Sequence, residues 1–124
     1  GKIVMRTFWC TTGHSCRAIE RGFDAKAKEY ADRGVFFVMV DSSYTDSPDS
    51  VNQFLAKREL GFPVLMDPES EYARYFDTKL TTTTAVIDGK GRLRYFGGFP
   101  KAEEAVKNLL AGEEVALPET RGFG

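Results

Sequence analysis

Residues 8–17 read FWCTTGHSCR, and the interpretation of the whole 124-residue chain depends on this segment. It contains both cysteines, the only histidine and the only tryptophan of the chain, namely Cys10, Cys16, His14 and Trp9. A strand-like apolar run precedes the segment, and residues at helical spacing follow it. In a parallel α/β sheet, the loop that leaves a strand and enters a helix is the usual reactive position. We therefore predict the functional site in this segment.

Strand-like and helix-like patterns alternate along the chain. The run from Val35 to Val40 is continuously apolar and rich in β-branched residues, which is typical of a strand covered on both faces. The full prediction is a strand from Ile3 to Trp9, a helix from His14 or Ser15 to Gly34, a strand from Val35 to Val40, a helix from Pro48 ending before Gly61, a strand from Phe62 to Met66, a helix after Asp67 through Phe76, a hairpin of strands at 83–87 and 93–96, and a helix from Pro100 to Gly112.

This order fixes the expected fold class. Apolar strands joined by helices require parallel pairing with right-handed crossovers, and the final hairpin adds an antiparallel pair. We predict an α/β sandwich, a mixed sheet with helices on both faces, as a single domain over residues 1–124. Because the chain opens directly on a strand-like run, a longer parent chain is also consistent with the pattern.

The composition and the net charge argue against some kinds of binding partner. The chain is 42% hydrophobic, with a net charge of −1 and a pI near 5.9, which argues against nucleic acid or an anionic membrane surface as the main partner. No apolar run approaches the roughly 18 residues of a membrane span. Two cysteines are too few for a disulfide scaffold, so they are candidates for buried thiols, a redox pair or metal ligands.

The predicted position of Cys16 favours a reactive thiol. It falls in the first helical turn, where backbone N–H groups and the helix dipole stabilise a thiolate, and a protonated His14 would add to this effect. Cys10 stands at the end of the preceding strand. The intervening residues can turn back to give the Cα separation of about 4.4–6.8 Å that a disulfide needs, provided that Cys10 faces the helix. The alternative is a Cys16 thiol that packs under the helix as a buried hydrophobe.

Several matched stretches, read together, resemble one known family. The chain resembles the thioredoxin-fold redoxins, both the TlpA/ResA-like thiol-disulfide oxidoreductases and the AhpC/TSA-like group, whose pattern is Gly-Lys, an apolar strand, and then F-W-A-x-W-C-x-x-C-R. The matched stretches are Gly1-Lys2, Phe8-Trp9, Cys16-Arg17, Tyr30, Gly34-Val35, Val40-Asp41, FPVLMD at 62–67, VID at 86–88 and GRLRYFG at 91–97.

This resemblance implies both a fold and an activity. The fold is a thioredoxin-like three-layer sandwich with a redoxin-type strand-helix insert at 62–76. The activity is thiol-disulfide exchange on protein or small-molecule disulfides, with a thiol protein as electron donor and no cofactor. It also implies a monomer in a periplasmic or other extracytoplasmic compartment.

The chain departs from the family pattern at the site itself. Gly13 stands where relatives carry the attacking cysteine, Thr82 stands where most carry a cis-proline, and Thr7 stands where thioredoxin has a buried acid. The catalytic residues implied by the alignment are Cys16, Cys10, His14 and Gly13, and the implied substrate-binding residues are Trp9, Thr12, Thr81 and Thr82.

Two other functions stay open from the sequence. A single thiolate could reduce peroxide through a sulfenic acid, although Gly13 occupies the position where related peroxidases carry a threonine. A non-catalytic redoxin could instead bind a partner protein or a metal, because Cys10, His14 and Cys16 supply ligands suited to Cu(I) or Zn. That set has no obvious fourth member beyond Asp41, so no metal site is predicted.

Overall fold

A computed structural model describes residues 2–12, 14–43, 45–67 and 82–115, with the backbone alone for residues 14 and 15. Its elements are β1 Ile3–Phe8, α1 His14–Tyr30, a 3₁₀ turn Ala31–Arg33, β2 Val35–Asp41, α2 Pro48–Arg58, β3 Val64–Met66, β4 Thr83–Ile87, β5 Leu93–Gly98 and α3 Phe99–Leu110. None of these described helices combines the length and apolar character needed to cross a membrane.

The five strands form one mixed sheet in the order β3-β2-β1-β4-β5. β1 pairs in parallel with β2, and β2 in parallel with β3. β4 runs antiparallel to both β1 and β5. The predicted mixed α/β sheet is therefore confirmed, and β1, which leads into the candidate site, is its central strand.

Most element boundaries lie within two residues of the predicted ones; the exception is α1, which ends at Tyr30 and is followed by the 3₁₀ turn before the predicted stop at Gly34. β1 ends at Phe8, and β3 begins at Val64 because Pro63 has no N–H to donate, while the Pro63 carbonyl accepts from the Met39 amide. α3 begins at Phe99, one residue before the predicted start, with Pro100 in its first turn. The helix predicted through Phe76 lies outside the described residues.

The main core lies between one face of the sheet and the helices α1 and α3. Phe23 of α1 is completely buried at its centre, and its ring lies 5.3–5.6 Å from the rings of Phe37, Phe62 and Phe99. Complete burial of one such side chain contributes about 1.5–3 kcal/mol. On the opposite face, Phe8, Val40 and Ala85 are also buried.

The carboxyl-terminal half of α1 is attached to its neighbours by polar contacts. The Tyr30 hydroxyl donates to Glu103 of α3 at 2.8 Å, and Lys26 forms an ion pair with the same carboxylate at 3.1 Å. Asp24 accepts from the Gly61 amide at 3.0 Å. Gly34 ends this segment with a φ of 78°, the left-handed conformation predicted for a helix stop. These contacts fix the helix that carries Cys16.

Candidate functional site

The candidate site is the loop between β1 and α1, at the carboxyl end of the parallel strands. The Trp9 amide donates to the Val40 carbonyl at 3.0 Å, which extends the β1–β2 pairing by one residue and fixes where the loop begins. α1 then begins at His14, so Cys16 is the third residue of the helix. The predicted placement of this thiol in the first turn is confirmed. Gly13 and the His14 side chain lie outside the described residues.

The two cysteines differ in accessibility. Cys16 is 0% exposed and belongs to the hydrophobic core, whereas Cys10 is half-buried. Both are thiols, and their sulfurs do not lie within disulfide distance. The Cys10 Sγ lies 3.8 Å from the hydroxyl of Thr12, which is exposed. A substrate can therefore reach Cys10 but cannot reach Cys16 in this arrangement.

Trp9 lies beneath the loop and is only 1% exposed. Its Nε1 donates to Glu20 at 2.8 Å, and its ring meets the edges of Phe54 and Phe62 at 5.6 Å. The structure thus gives Trp9 a packing role, and its assignment as a substrate-binding residue stays a prediction.

Arg17 holds the loop to α1. Its guanidinium donates to the carbonyls of Thr11 at 2.8 Å and Cys10 at 3.0 Å, and it pairs with Glu20 at 2.7 Å. The same group lies 4.4 Å above the ring of Phe54. Such charge-assisted hydrogen bonds are about twice as strong as neutral ones, so the backbone around Cys10 is well anchored on this side.

Asp46 holds the other side of the loop. One of its oxygens accepts from the Thr11 amide at 3.0 Å, and the other accepts from the Thr11 hydroxyl at 2.6 Å. Burial alone would raise the pKa of Asp46, but the hydrogen bonds from Asp41 and Thr11 outweigh burial and lower it. Asp46 is therefore the charged member of an acidic pair with Asp41.

Asp41, at the end of β2, is 0% exposed. Burial, and then the hydrogen bond with Asp46, raise the pKa of Asp41 to about 7. Sequence reasoning considered Asp41 only as a metal ligand and missed Asp46 and Arg17 as loop contacts. An acid that ends an otherwise apolar strand at the carboxyl edge was the available signal for Asp41. No sequence signal pointed to Asp46.

Thr82, which the resemblance places at the cis-proline position, lies against the end of β1. It is 1% exposed, its amide donates to the Phe8 carbonyl at 2.6 Å, and its φ of 66° is left-handed. Beside it, the hydroxyls of Thr7 and Thr84 share a buried hydrogen bond of 2.7 Å. Thr7 thus takes part in a neutral pair at the position of the acid in thioredoxin. Thr81 lies outside the described residues.

Within the ranges that the structure describes, no group of three or more His, Cys, Asp or Glu residues is arranged to hold a metal ion. The imidazole of His14 is not among the described side chains, so the structure does not test the alternative in which Cys10, His14 and Cys16 bind a metal.

Comparison with known proteins identifies the family. The model of the AhpC/TSA family matches residues 1–96. The chain belongs to the AhpC/TSA family. A curated relative, the thioredoxin-like protein YneN of Bacillus subtilis (strain 168), is 32% identical over 91 residues. The match covers 73% of this chain and 53% of YneN, so the chain spans about half the length of that relative.

Solved structures share the fold of this chain. An uncharacterized conserved protein from Geobacillus kaustophilus has a TM-score of 0.83 at 21% identity, over 98% of this chain and 74% of that one. A secreted disulfide oxidoreductase of Mycobacterium tuberculosis, described as homologous to DsbE of E. coli, has a TM-score of 0.60 at 22% identity, over 74% of this chain and 66% of that one. At these identities the likeness confirms the thioredoxin-like α/β fold.

Proposed function

We propose that this AhpC/TSA chain is a thiol-disulfide oxidoreductase in which Cys10 attacks the substrate disulfide and Cys16 resolves the intermediate. One observation carries the proposal: the two thiols flank the β1–α1 loop at the carboxyl edge of the sheet, one of them accessible and the other buried. Family membership supports it, because thioredoxin-like redoxins act on disulfides together with thiol partners. The acting unit is a single monomeric domain over residues 1–124 and uses no cofactor.

The reaction balances with the two thiols alone. The Cys10 thiolate attacks one sulfur of the substrate disulfide, and the other substrate sulfur leaves as a thiolate and takes up a proton. Cys16, once deprotonated, attacks the Cys10 sulfur of the mixed disulfide and releases the second substrate thiol. The substrate gains two electrons and the chain retains a Cys10–Cys16 disulfide. A dithiol partner protein then reduces this disulfide and is itself oxidised.

The second step requires the loop to move, because the two sulfurs lie outside bonding distance in the reduced chain. α1 is attached to α3 and to the residues after α2, so the loop segment that carries Cys10 is the part that moves. The physiological substrates we propose are protein or small-molecule disulfides in an extracytoplasmic compartment. The secreted relative of the same fold supports that compartment.

The test compares two variants with the wild-type chain and uses glutathione disulfide as the oxidant. We expect Cys16→Ser to accumulate a mixed disulfide at Cys10, because nothing then resolves it, and Cys10→Ser to form none. The wild-type chain is expected to form the intramolecular disulfide, seen as a loss of two hydrogen masses. Unchanged disulfide reduction by Cys10→Ser, or an adduct found on Cys16, would overturn the assignment of roles.

Gly13→Cys probes the position that the resemblance assigns to the attacking cysteine. We expect this variant to reduce insulin disulfides faster than the wild type, because it restores the spacing C-x-x-C with Cys16. The matched control is Gly13→Ser, which adds a side chain of similar size without a thiol and is expected to show no gain. Consumption of hydrogen peroxide without disulfide exchange would instead favour the peroxidase alternative.

A further inference from the structure

A buried carboxyl group directly behind the loop lacks the donors that an ionised carboxylate needs. The Oδ1 atom of Asp41 accepts from the Ser43 amide at 2.9 Å. Its Oδ2 atom is buried and has no donor among the described residues. The Asp41 carboxyl group is hydrogen-bonded to the carboxyl group of Asp46. Because ionised carboxylates only accept hydrogen bonds, two of them can bond to each other only when one carries a proton.

The charged groups around this pair do not offset a second negative charge. From α1, Arg17 attracts Asp46, but its guanidinium is already bonded to the loop carbonyls and to Glu20. After the end of β3, Asp67 donates its amide to the Asp41 backbone carbonyl at 2.8 Å, and its own carboxylate accepts from the Ser42 hydroxyl at 2.7 Å. Within the described part of the chain, no cation forms an ion pair with Asp41. Loss of its proton therefore places two adjacent carboxylates in a site with little water.

Asp46 connects this pair to the reactive loop. Both of its oxygens accept from Thr11, the residue after Cys10. Repulsion from an ionised Asp41 would push Asp46 away, and the movement would break these two bonds. Among the described residues, the Arg17 contacts to the carbonyls of Cys10 and Thr11 would then still hold the loop.

We propose that Asp41 is a positioning residue whose proton, shared with Asp46, keeps Thr11 bound, and that loss of this proton releases the loop that carries Cys10. The consequence for catalysis rests on the proposed function: release allows the Cys10 sulfur to approach Cys16 and close the disulfide. The redox step is thereby coupled to a proton that neither thiol carries. Since the pKa of Asp41 is raised to about 7, the release falls in the neutral range.

The first experiment follows the loop directly by NMR between pH 5 and 8.5, in the reduced full chain. The Asp41 carboxyl carbon and the Thr11 amide are expected to titrate together with a midpoint near 7. This measurement needs no variant, so it stands even if a substitution at position 41 prevents folding. An Asp41 carboxyl that titrates in the ordinary range near 4, or a Thr11 amide that does not follow it, overturns the proposal.

Three variants identify the group that is responsible. Asp41→Asn keeps a donor toward Asp46 at every pH, so the Thr11 transition should disappear. Asp49→Asn, which removes an exposed acid at the start of α2, is the matched control and should leave the transition unchanged. His14→Gln removes the only histidine of the chain, the residue type whose ordinary pKa lies near neutral pH. A transition that persists in Asp41→Asn but disappears in His14→Gln refutes the role of Asp41.

A second measurement connects the loop to the chemistry. At pH 8, about nine-tenths of the wild-type Asp41 groups have lost their proton. At pH 6 the fraction is about one-tenth, so we expect the ratio of the wild-type to the Asp41→Asn rate of Cys10–Cys16 disulfide closure to rise by a factor of about ten between pH 6 and pH 8. A ratio that stays the same at the two pH values would refute the coupling. Failure of both proteins to close a disulfide counts against the proposed function, whereas the NMR titration still decides the role of Asp41.

Discussion

Replacing Asp41 with Asn should change how the stability of the protein depends on pH. An Asn side chain reproduces the protonated acid, because its amide can donate to Asp46 while its oxygen accepts from Ser43. The folded wild-type chain retains a proton on Asp41 up to about pH 7, whereas the unfolded chain releases it near 3.8. Folding therefore takes up a proton between these values, and wild-type stability decreases as the pH rises through this interval.

The magnitude follows from the width of that interval. Each pH unit corresponds to about 1.4 kcal/mol, so the two units between pH 5 and pH 7 give up to about 3 kcal/mol. Asp46, Asp88 and Glu103 have lowered pKa values, so their contributions change at more acidic pH, outside this window. Relative to the wild type, Asp41→Asn should thus gain stability from pH 5 to pH 7 and then hold that gain.

Urea denaturation followed by the fluorescence of the single tryptophan, Trp9, measures this difference at each pH. The control Asp49→Asn should run parallel to the wild type, because the acid that it removes is exposed. A stability difference between Asp41→Asn and the wild type that stays constant within about 0.5 kcal/mol from pH 5 to pH 8 would refute the reasoning, since it would mean that Asp41 is ionised in the folded chain throughout.

Three further predictions concern the framework of the site. Thr7→Val should lower the free energy of unfolding by about 1–2 kcal/mol, because it leaves the Thr84 hydroxyl without its closest partner. In a thermodynamic cycle, the double change Thr7→Val with Thr84→Val should lower it by less than the sum of the two single changes. Ser47→Ala removes a capping box at the start of α2 and should cost about 1 kcal/mol by urea denaturation; an unchanged midpoint would contradict the cap. Phe23→Ala should lower the free energy of unfolding by about 3–5 kcal/mol, because it leaves a cavity among the rings that Phe23 contacts. Phe23→Leu is the control and should lower it by less; an equal loss in both variants would exclude a cavity effect.

The sequence predicted the elements whose pattern is local. The apolar run that became β2 and the cap-and-proline signal that became the start of α2 are both readable within a few residues. Phe62 was assigned to a strand because it is apolar, but it is buried by packing against Trp9 and Phe23, which come from other elements. An apolar residue at this position therefore indicates that the side chain is buried, not that the residue belongs to a strand.

The candidate site was only partly predictable for the same reason. The helix-start position of Cys16 follows from local spacing, whereas its complete burial depends on the core that α1 packs against. The contact of Asp46 with Thr11 joins residues 35 positions apart, and the pairing of Asp46 with Asp41 depends on how the chain turns after β2. A pattern along the chain carries no information about contacts of this kind.

The hydrogen bond from Tyr30 to Glu103 affects which surface of the chain differs between the oxidised and the reduced state, and therefore which surface a partner protein can use to distinguish them. α1 is anchored at the end remote from the thiols, so we expect Cys16 to stay in place while the strand-side sulfur travels on each cycle. Most of the helix surface then offers the same docking shape whether the chain is oxidised or reduced. The conformation of the few residues after β1 would then differ between the oxidised and the reduced chain. A partner that distinguishes the two states has to contact these residues.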